Sequence, residues 1–233
     1  MAIPRFVRGS APDMIGCALA LGYNPDYPDI AFDYGPYQNH GVMTGATWVQ
    51  RADGLWVMDL NGAGDHVDIG GRNSLKPSGD FTIAAWVYRE TQNYPVLIGW
   101  DASYLAKGYF LYYNQAASQW SCYLDGSSIG NIGEVMGTDA WHLVHFVFDQ
   151  VNSEVRCYLD DGAAVTTTSI TISISYTDVV TCRIGDSVAG GTLDWKGRIA
   201  SPRIYHYAVS VEEVAVRYRG GRLTSPRSLV PAR

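Results

Sequence analysis

The sequence predicts an all-β fold: a sandwich of two antiparallel sheets, with one short helix near the C-terminus and extended arms at both ends. Three observations predict it. Short apolar runs, several alternating with period two, recur along most of the chain and are punctuated by Gly, Asp, Asn and Pro turn signals. Hydrophobic residues make up 47% and charged residues only 17% of 233 residues, which is ample for a sizeable core. A single stretch combines a helix start signal with a stop signal.

Residues 1–14 hold two prolines, two arginines and a glycine, and read as an N-terminal arm before a domain over 15–219. Ile15–Leu21 is the first strand candidate. Asn24–Gly41, rich in Pro, Asp, Tyr and Gly, is expected to be an irregular surface loop. Leu55–Leu60 and His66–Ile69 are strands around the turn-forming Asn61-Gly62-Ala63-Gly64. Phe81–Arg89, Tyr94–Trp100, Gly108–Asn114 and Gln119–Leu124 follow, separated by polar or Gly-containing turns.

Trp141–Asp149 and Glu154–Asp160 then form a hairpin. In its second strand Val155, Cys157 and Leu159 share one face, and Glu154, Arg156, Tyr158 and Asp160 the other, wet face. In its first strand Val144, Phe146 and Phe148 are expected to line the core, yet Leu143 and Val147 make the opposite face apolar as well. A strand apolar on both sides expects cover on both sides. That outer face should therefore lie under the chain's own loops or arms, or under another subunit. Ala163–Ile174, Thr181–Gly185 and Lys196–Tyr207 complete the strands. The segment Cys122-Tyr123-Leu124-Asp125-Gly126 is echoed in Cys157-Tyr158-Leu159-Asp160-Asp161-Gly162, the same strand-to-turn solution used twice.

The helix begins at a capping box, Ser210 with Glu213 three residues on. Val211, Val214, Ala215 and Tyr218 give it an apolar face, and Gly220 stops it. Residues 220–233 form a basic C-terminal arm that, fully extended, would reach roughly 45 Å.

The formal net charge of −6 hides an asymmetry. Arg5 and Arg8 at one end, and Arg217, Arg219, Arg222, Arg227 and Arg233 at the other, stand without an acid among residues 1–10 and 217–233. An acidic body with two basic ends suggests assembly arms that dock on acidic neighbours, including copies of the same body. Nucleic acid is disfavoured as a partner, because arginines in a Pro-containing tail make no recognisable binding fold. No run approaches the ~18 apolar residues of a membrane span, so no membrane insertion is expected. No apolar stretch of secretory type is visible near Met1. Cys17, Cys122, Cys157 and Cys182 lie in strand-like apolar contexts without a CxxC pair, which reads as buried free thiols, with a disulfide between neighbouring strands as the alternative.

At this point the residues resemble a family. Trp141-His142, Phe148-Asp149 and Val155-Arg156-Cys157-Tyr158-Leu159-Asp160 are similar to the W-H-x-V…D…V-x-x-Y-x-D-G hairpin of laminin G-like domains. These belong to the concanavalin A-like lectin/glucanase superfamily and are relatives of the pentraxins. Further pieces occur in order: Asn39-His40-Gly41, Asp65-His66-Val67-Asp68-Ile69, Phe81-Thr82-Ile83-Ala84-Ala85-Trp86-Val87, Arg183-Ile184-Gly185, and Gly197-Arg198-Ile199 with Arg203-Ile204-Tyr205. The resemblance implies a jelly-roll arrangement of the two sheets. It also brings calcium into consideration, since many relatives bind it with carboxylates in these regions. Here the usual aspartate pair before the last strand is replaced by Ala200-Ser201-Pro202, and Gly64 stands where an aspartate is common. Hard cations want several oxygen ligands at once. Asp65, Asp68 and Asp194 are accordingly expected in ordinary turn and strand-end roles and no cofactor or metal is expected, with a calcium site to which these three contribute as the alternative.

No catalytic constellation is expected either. Glycoside hydrolysis needs two carboxylates about 5–5.5 Å or 6.5–9.5 Å apart, and the E-x-D-x-x-E string of the superfamily's glucanases does not occur. His142 and His145 sit three apart on one strand and face opposite sides, so they cannot chelate one ion together. His142 is expected to be a hydrogen-bonded strand residue. Glycan binding is a better match to the composition: Asn93, Tyr94, Trp100, Asp101, Tyr104, Tyr113, Asn114, Asp194 and Trp195 place stacking rings and hydroxyl-binding groups near strand ends.

The expectation is thus a non-catalytic structural or interaction protein. Its envisaged setting is a phage virion, as a capsid decoration, head fibre or tail component assembled in a host cytoplasm, with homo-oligomeric or other virion partners and glycan adhesion. The first alternative is an extracellular carbohydrate-binding lectin or adhesion module, and the second, less favoured one a glycoside hydrolase with an unorthodox carboxylate pair.

Overall fold

Phe81–Arg89 and Trp141–Asp149 pair antiparallel along nearly their whole lengths, from Trp141 opposite Tyr88 to Phe148 opposite Phe81, and form the centre of the fold. The structure is a computed structural model that describes residues 14–90, 95–100, 107–162, 165–168, 170–171, 173–176, 181–187 and 193–220. In chain order the strands are β1 (Cys17–Gly22), β2 (Ile30–Asp33), β3 (Gly41–Thr44), β4 (Thr47–Gln50), β5 (Trp56–Asn61), β6 (His66–Gly70) and β7 (Phe81–Arg89). They continue as β8 (Val96–Trp100), β9 (Tyr109–Asn114), β10 (Gln119–Leu124), β11 (Ser127–Asn131), β12 (Trp141–Asp149) and β13 (Glu154–Leu159). β14 (Val165–Thr168), β15 (Cys182–Ile184), β16 (Lys196–Tyr205) and the helix α1 (Val211–Gly220) complete the fold.

Two antiparallel layers result. One runs β1-β16-β7-β12-β13-β14, with β5 and then β4 added along β16; the other runs β11-β10-β9-β8-β15-β6-β3-β2. The β1–β2 pairing, Leu21 opposite Asp33 and Gly22 opposite Phe32, stitches the layers at one corner. β16 serves two neighbours on one edge: Lys196–Ile199 pairs with β5, and Arg203–Tyr205 with β1. A bulge between Ala200 and Arg203 makes the switch, with Ser201 at φ 48°. The Ala200-Ser201-Pro202 departure is therefore a bend that re-aims the strand.

The core lies between the layers. Val144, Phe146 and Phe148 of β12 are fully buried, and Phe146 meets Trp120 of β10 across the gap, the ring centroids being 5.3 Å apart at 81°. Phe81 stacks on Phe148 at 4.0 Å, and Tyr109 of β9 closes on Phe81 at 5.7 Å. All four cysteines are buried thiols. Burial pushes Cys17 up to about 11 and Cys182 up to about 12, and raises Cys122 and Cys157 well above the ordinary thiol range.

The outer face of the first layer is dry as well, and its cover is the chain's own. Val147 and Tyr158 pack with Val209 and Val214, and Trp86 stacks on Tyr218 at 5.8 Å, so α1 and its lead-in lie across β7, β12 and β13. Thr82 Oγ1 pins the lead-in twice, donating to the Tyr207 carbonyl and accepting from Val209 N–H. Leu143 and Val147 are 5% and 0% exposed, so the apolar outer face is explained without a second subunit. Tyr158, expected on a wet face, is buried under the same helix. The helix cap is half a capping box. Ser210 Oγ accepts from Glu213 N–H, while the Glu213 carboxylate turns to Tyr207 and Arg217 instead of reaching back.

Several expectations need correction. Asn24–Gly41 is not wholly irregular: it contains β2, whose Phe32 packs against Tyr34 and His40. β3, β4 and β11 are further short strands without a clear sequence signal, because each is four or five residues long with mixed exposure. Arg217 is no part of a free arm, since its charge is spent on Glu213 within α1. Arg219 is exposed at the helix end. Arg5, Arg8, Arg222, Arg227 and Arg233 lie outside the described residues. The echo at the two Cys-Tyr-Leu-Asp strand ends is structural: Asp125 and Asp160 both take positive φ, 51° and 58°. His142 is hydrogen-bonded as expected, Nδ1 lying 2.9 Å from Asp160 Oδ2.

Candidate functional site

Tyr23, Pro28, Asp29, Met43, Ala46, Thr47, Trp48 and Trp56 line an open cleft of about 350 Å³ at one rim of the sandwich. Its floor is a two-strand ribbon. β4 and β5 pair with Trp48 opposite Met58 and Gln50 opposite Trp56, which sets the two indoles diagonally on one face. Met58 and Leu60 continue that face of β5 into the core, so the indoles stand where the core opens to solvent. The register is set by the Arg51–Leu55 turn, where Asp53 accepts from Leu55 N–H and pairs with Arg51, and Gly54 takes φ 87°.

The wall comes from residues 23–30. Asn24 starts it, its side chain accepting from Asp26 N–H and its carbonyl from Tyr27 N–H. Met43 N–H bonds the Asp29 carbonyl and so ties the wall to β3. Trp48 Nε1 donates to the Ile30 carbonyl at 3.3 Å, which locks the indole against the same segment. Tyr23 stacks on Trp56 at 4.0 Å and 19°, and meets Trp48 edge-on at 5.6 Å and 65°. The result is an aromatic corner, partly exposed, flanked by the exposed Thr47 and the exposed Asp29. Its volume sits at the small end of the ~300–1,000 Å³ typical of small-ligand pockets. A second cleft, about 240 Å³ between Lys76–Asp80 and His206, has no aromatic wall.

The residues expected to bind glycan are placed elsewhere. Trp100, Tyr113 and Trp195 are 0%, 1% and 0% exposed, so no face is open to a sugar ring; they are core, not platform. Asn114 is a turn staple that accepts from Ala117 N–H. Asp194 is 7% exposed and accepts from Gly64 N–H. Asn93, Tyr94, Asp101 and Tyr104 lie outside the described residues. The aromatic corner does have a signal in the sequence: Asp53-Gly54 between two short runs, each with a tryptophan.

The carboxylates of the family's calcium regions take turn and strand-end hydrogen bonds. Asp65 accepts from Asn61 N–H, Asp68 from Gly70 N–H and from Thr181 Oγ1, and Asp194 from Gly64 N–H. Burial, together with the neighbouring Asp186 carboxyl, pushes Asp194 up to about 6. Among the described residues, no three His, Cys, Asp or Glu side chains are grouped to hold a metal ion.

Solved structures share the fold. The binding domain of Paraclostridial Mosquitocidal Protein 1 superposes with a TM-score of 0.67 at 16% identity, over 89% of this chain and 52% of that one. Trypanosoma rangeli sialidase in complex with the inhibitor DANA gives 0.64 at 15% identity, over 89% and 33%. A structure of botulinum neurotoxin type C, whose cell entry is described as dependent upon interaction with two ganglioside molecules, gives 0.67 at 10% identity, over 91% and 53%. The chain thus spans from a third to about half of these proteins, and at such identities the likeness is one of fold. No curated protein matches the chain in sequence. The laminin G-like model described as concanavalin A-like lectin/glucanases superfamily matches residues 61–215, well over half of the sequence and wholly downstream of the aromatic corner; the chain belongs to that superfamily.

Proposed function

We propose that this protein is a non-catalytic carbohydrate-binding module whose sugar site is the Tyr23–Trp48–Trp56 corner. The observation that carries the reading is geometric. Two indoles and a phenol are held at fixed angles at a cleft mouth, where apolar ring faces meet water and a carboxylate and a hydroxyl stand beside them. Pyranose rings present C–H faces that stack on such surfaces while their hydroxyls bond the flanking polar groups. Catalysis is not part of the proposal. The cleft offers one carboxylate, Asp29, and glycoside hydrolysis takes two.

The wider setting we propose is attachment, on a phage virion as a capsid decoration, head fibre or tail component, or as an extracellular adhesin. The basic ends on an acidic body favour docking on a larger assembly. The test is a glycan array probed with the full chain, then repeated with Trp56→Ala after circular dichroism has verified folding. Binding to a defined glycan group, lost by at least tenfold in the variant, supports the site. An array with no bound glycan removes the function, and binding indifferent to Trp56 removes the site.

A further inference from the structure

Resting on the glycan reading, we infer that the corner takes a non-acidic pyranose and discriminates against sialic and uronic acids, with Asp29 as the residue that sets this selectivity. Among the described residues lining the cleft there is no lysine, arginine or histidine, and Asp29 is the lone carboxylate. A sugar carboxylate entering the corner would meet that like charge with no cation to offset it. Recognition of carboxylates ordinarily uses a guanidinium fork or an ammonium, and neither is present.

Nearby charge does not rescue an acidic sugar. Arg51, on the turn joining β4 to β5, is held by Asp53 and lies over the Trp141 ring. Arg198 is paired with Asp59, the residue opposite Thr47. Asp26, three residues before Asp29, adds a further negative charge to the wall. Asp29 is placed by the backbone rather than by a partner, since Met43 N–H bonds its carbonyl and leaves the carboxylate exposed. A 2-amino sugar would gain there twice, from the carboxylate and from the indole faces, which attract cations.

The experiment uses two matched series of oligosaccharides: glucosamine, glucose and glucuronic acid, and the corresponding galactose-configured set. Each is titrated against the full chain at low and high salt. In whichever series binds, the order expected is ammonium over neutral over carboxylate, with roughly 3- to 10-fold between the charged extremes at low salt, shrinking at high salt. Asp29→Asn should bring that ratio towards one. Equal or tighter binding of the uronic acid overturns the inference while leaving the glycan function standing, as does a ratio that survives Asp29→Asn. No binding in either series, on a chain also silent on the array, removes both.

Discussion

The guanidinium of Arg217 lies 3.9 Å from the centroid of the Tyr205 ring. From there it also donates to Tyr207 Oη and pairs with Glu213 Oε1, one turn back on α1. Tyr205 belongs to the last strand and Tyr207 to the lead-in, so one side chain ties helix, linker and sheet together. The helix is thereby a third layer, and the dry outer face of β12 belongs to the fold instead of to an interface.

Removing this tie should loosen the layer. Arg217→Ala loses a partly desolvated cation–π contact and the packing of the arginine stem, at a cost of about 1–2 kcal/mol. Arg217→Lys keeps the charge but not the planar stacking, and should fall between. Val214→Ala, which thins the contact with Val147, should cost roughly 1–2 kcal/mol. Urea unfolding of the three variants checks the order; an Arg217→Ala midpoint equal to wild type would mean that the helix is held by apolar contacts alone.

His145 supplies a pH dependence. It sits on the covered face of β12, opposite Tyr158 on β13 and Ala84 on β7, and is 1% exposed with neither ring nitrogen hydrogen-bonded. Burial, reinforced by Arg217 from the helix and Arg203 from β16, lowers its pKa to about 3. The unfolded chain takes up this proton near pH 6.5 and the folded chain does not. Its contribution is therefore complete above pH 6.5 and is lost as pH falls towards 3, at up to ~1.4 kcal/mol per pH unit. Asp194 acts with the opposite sign. Its raised pKa favours the fold below the ordinary carboxylate range, and that advantage is lost as pH rises to about 6. His145→Leu removes the first contribution and leaves the second. The variant should lose less stability than wild type between pH 6.5 and 4 in urea titrations, and parallel curves would show that the imidazole is solvated.

The sequence read well where an apolar run is long and bounded by turn signals. β7, β10 and β12 follow from the runs Phe81–Arg89, Gln119–Leu124 and Trp141–Asp149, and their ends coincide with the expected ones. The doubly apolar Leu143/Val147 face correctly announced a cover, but pattern alone could not say whose. Val209, Val214 and Tyr218 answer that only once the helix is folded back. The site was less legible. Trp100 and Trp195 look like rim residues because they stand at or beside strand ends, yet both rings are fully buried. Trp48 and Trp56 become neighbours through the register of a four-residue strand and a turn, and Tyr23 and Asp29 join them from a segment with no periodicity at all.

Trp48 separates the two parts of the corner's design. Its ring is a wall of the cleft, and its Nε1 holds the Ile30 carbonyl of the segment that carries Asp29. Trp48→Ala removes both and should lower glycan affinity by at least tenfold, because the stacking face disappears. Trp48→Phe keeps an aromatic face but strands the Ile30 carbonyl, a loss of about 1 kcal/mol of stability. Its affinity should drop by a smaller factor, about 3- to 5-fold, through looser placement of Asp29 rather than through lost stacking. The charge preference tells the two routes apart. In Trp48→Phe the ratio of amino sugar to uronic acid should narrow, because the segment carrying Asp29 keeps its Met43 tie but loses the one at Ile30, whereas Trp56→Ala should weaken all sugars by a similar factor and leave the ratio near that of wild type. Titration of both variants with the matched sugars decides it: a ratio that narrows equally in both would mean that the corner is one unit and that the Trp48–Ile30 bond has no separate role in placing the carboxylate.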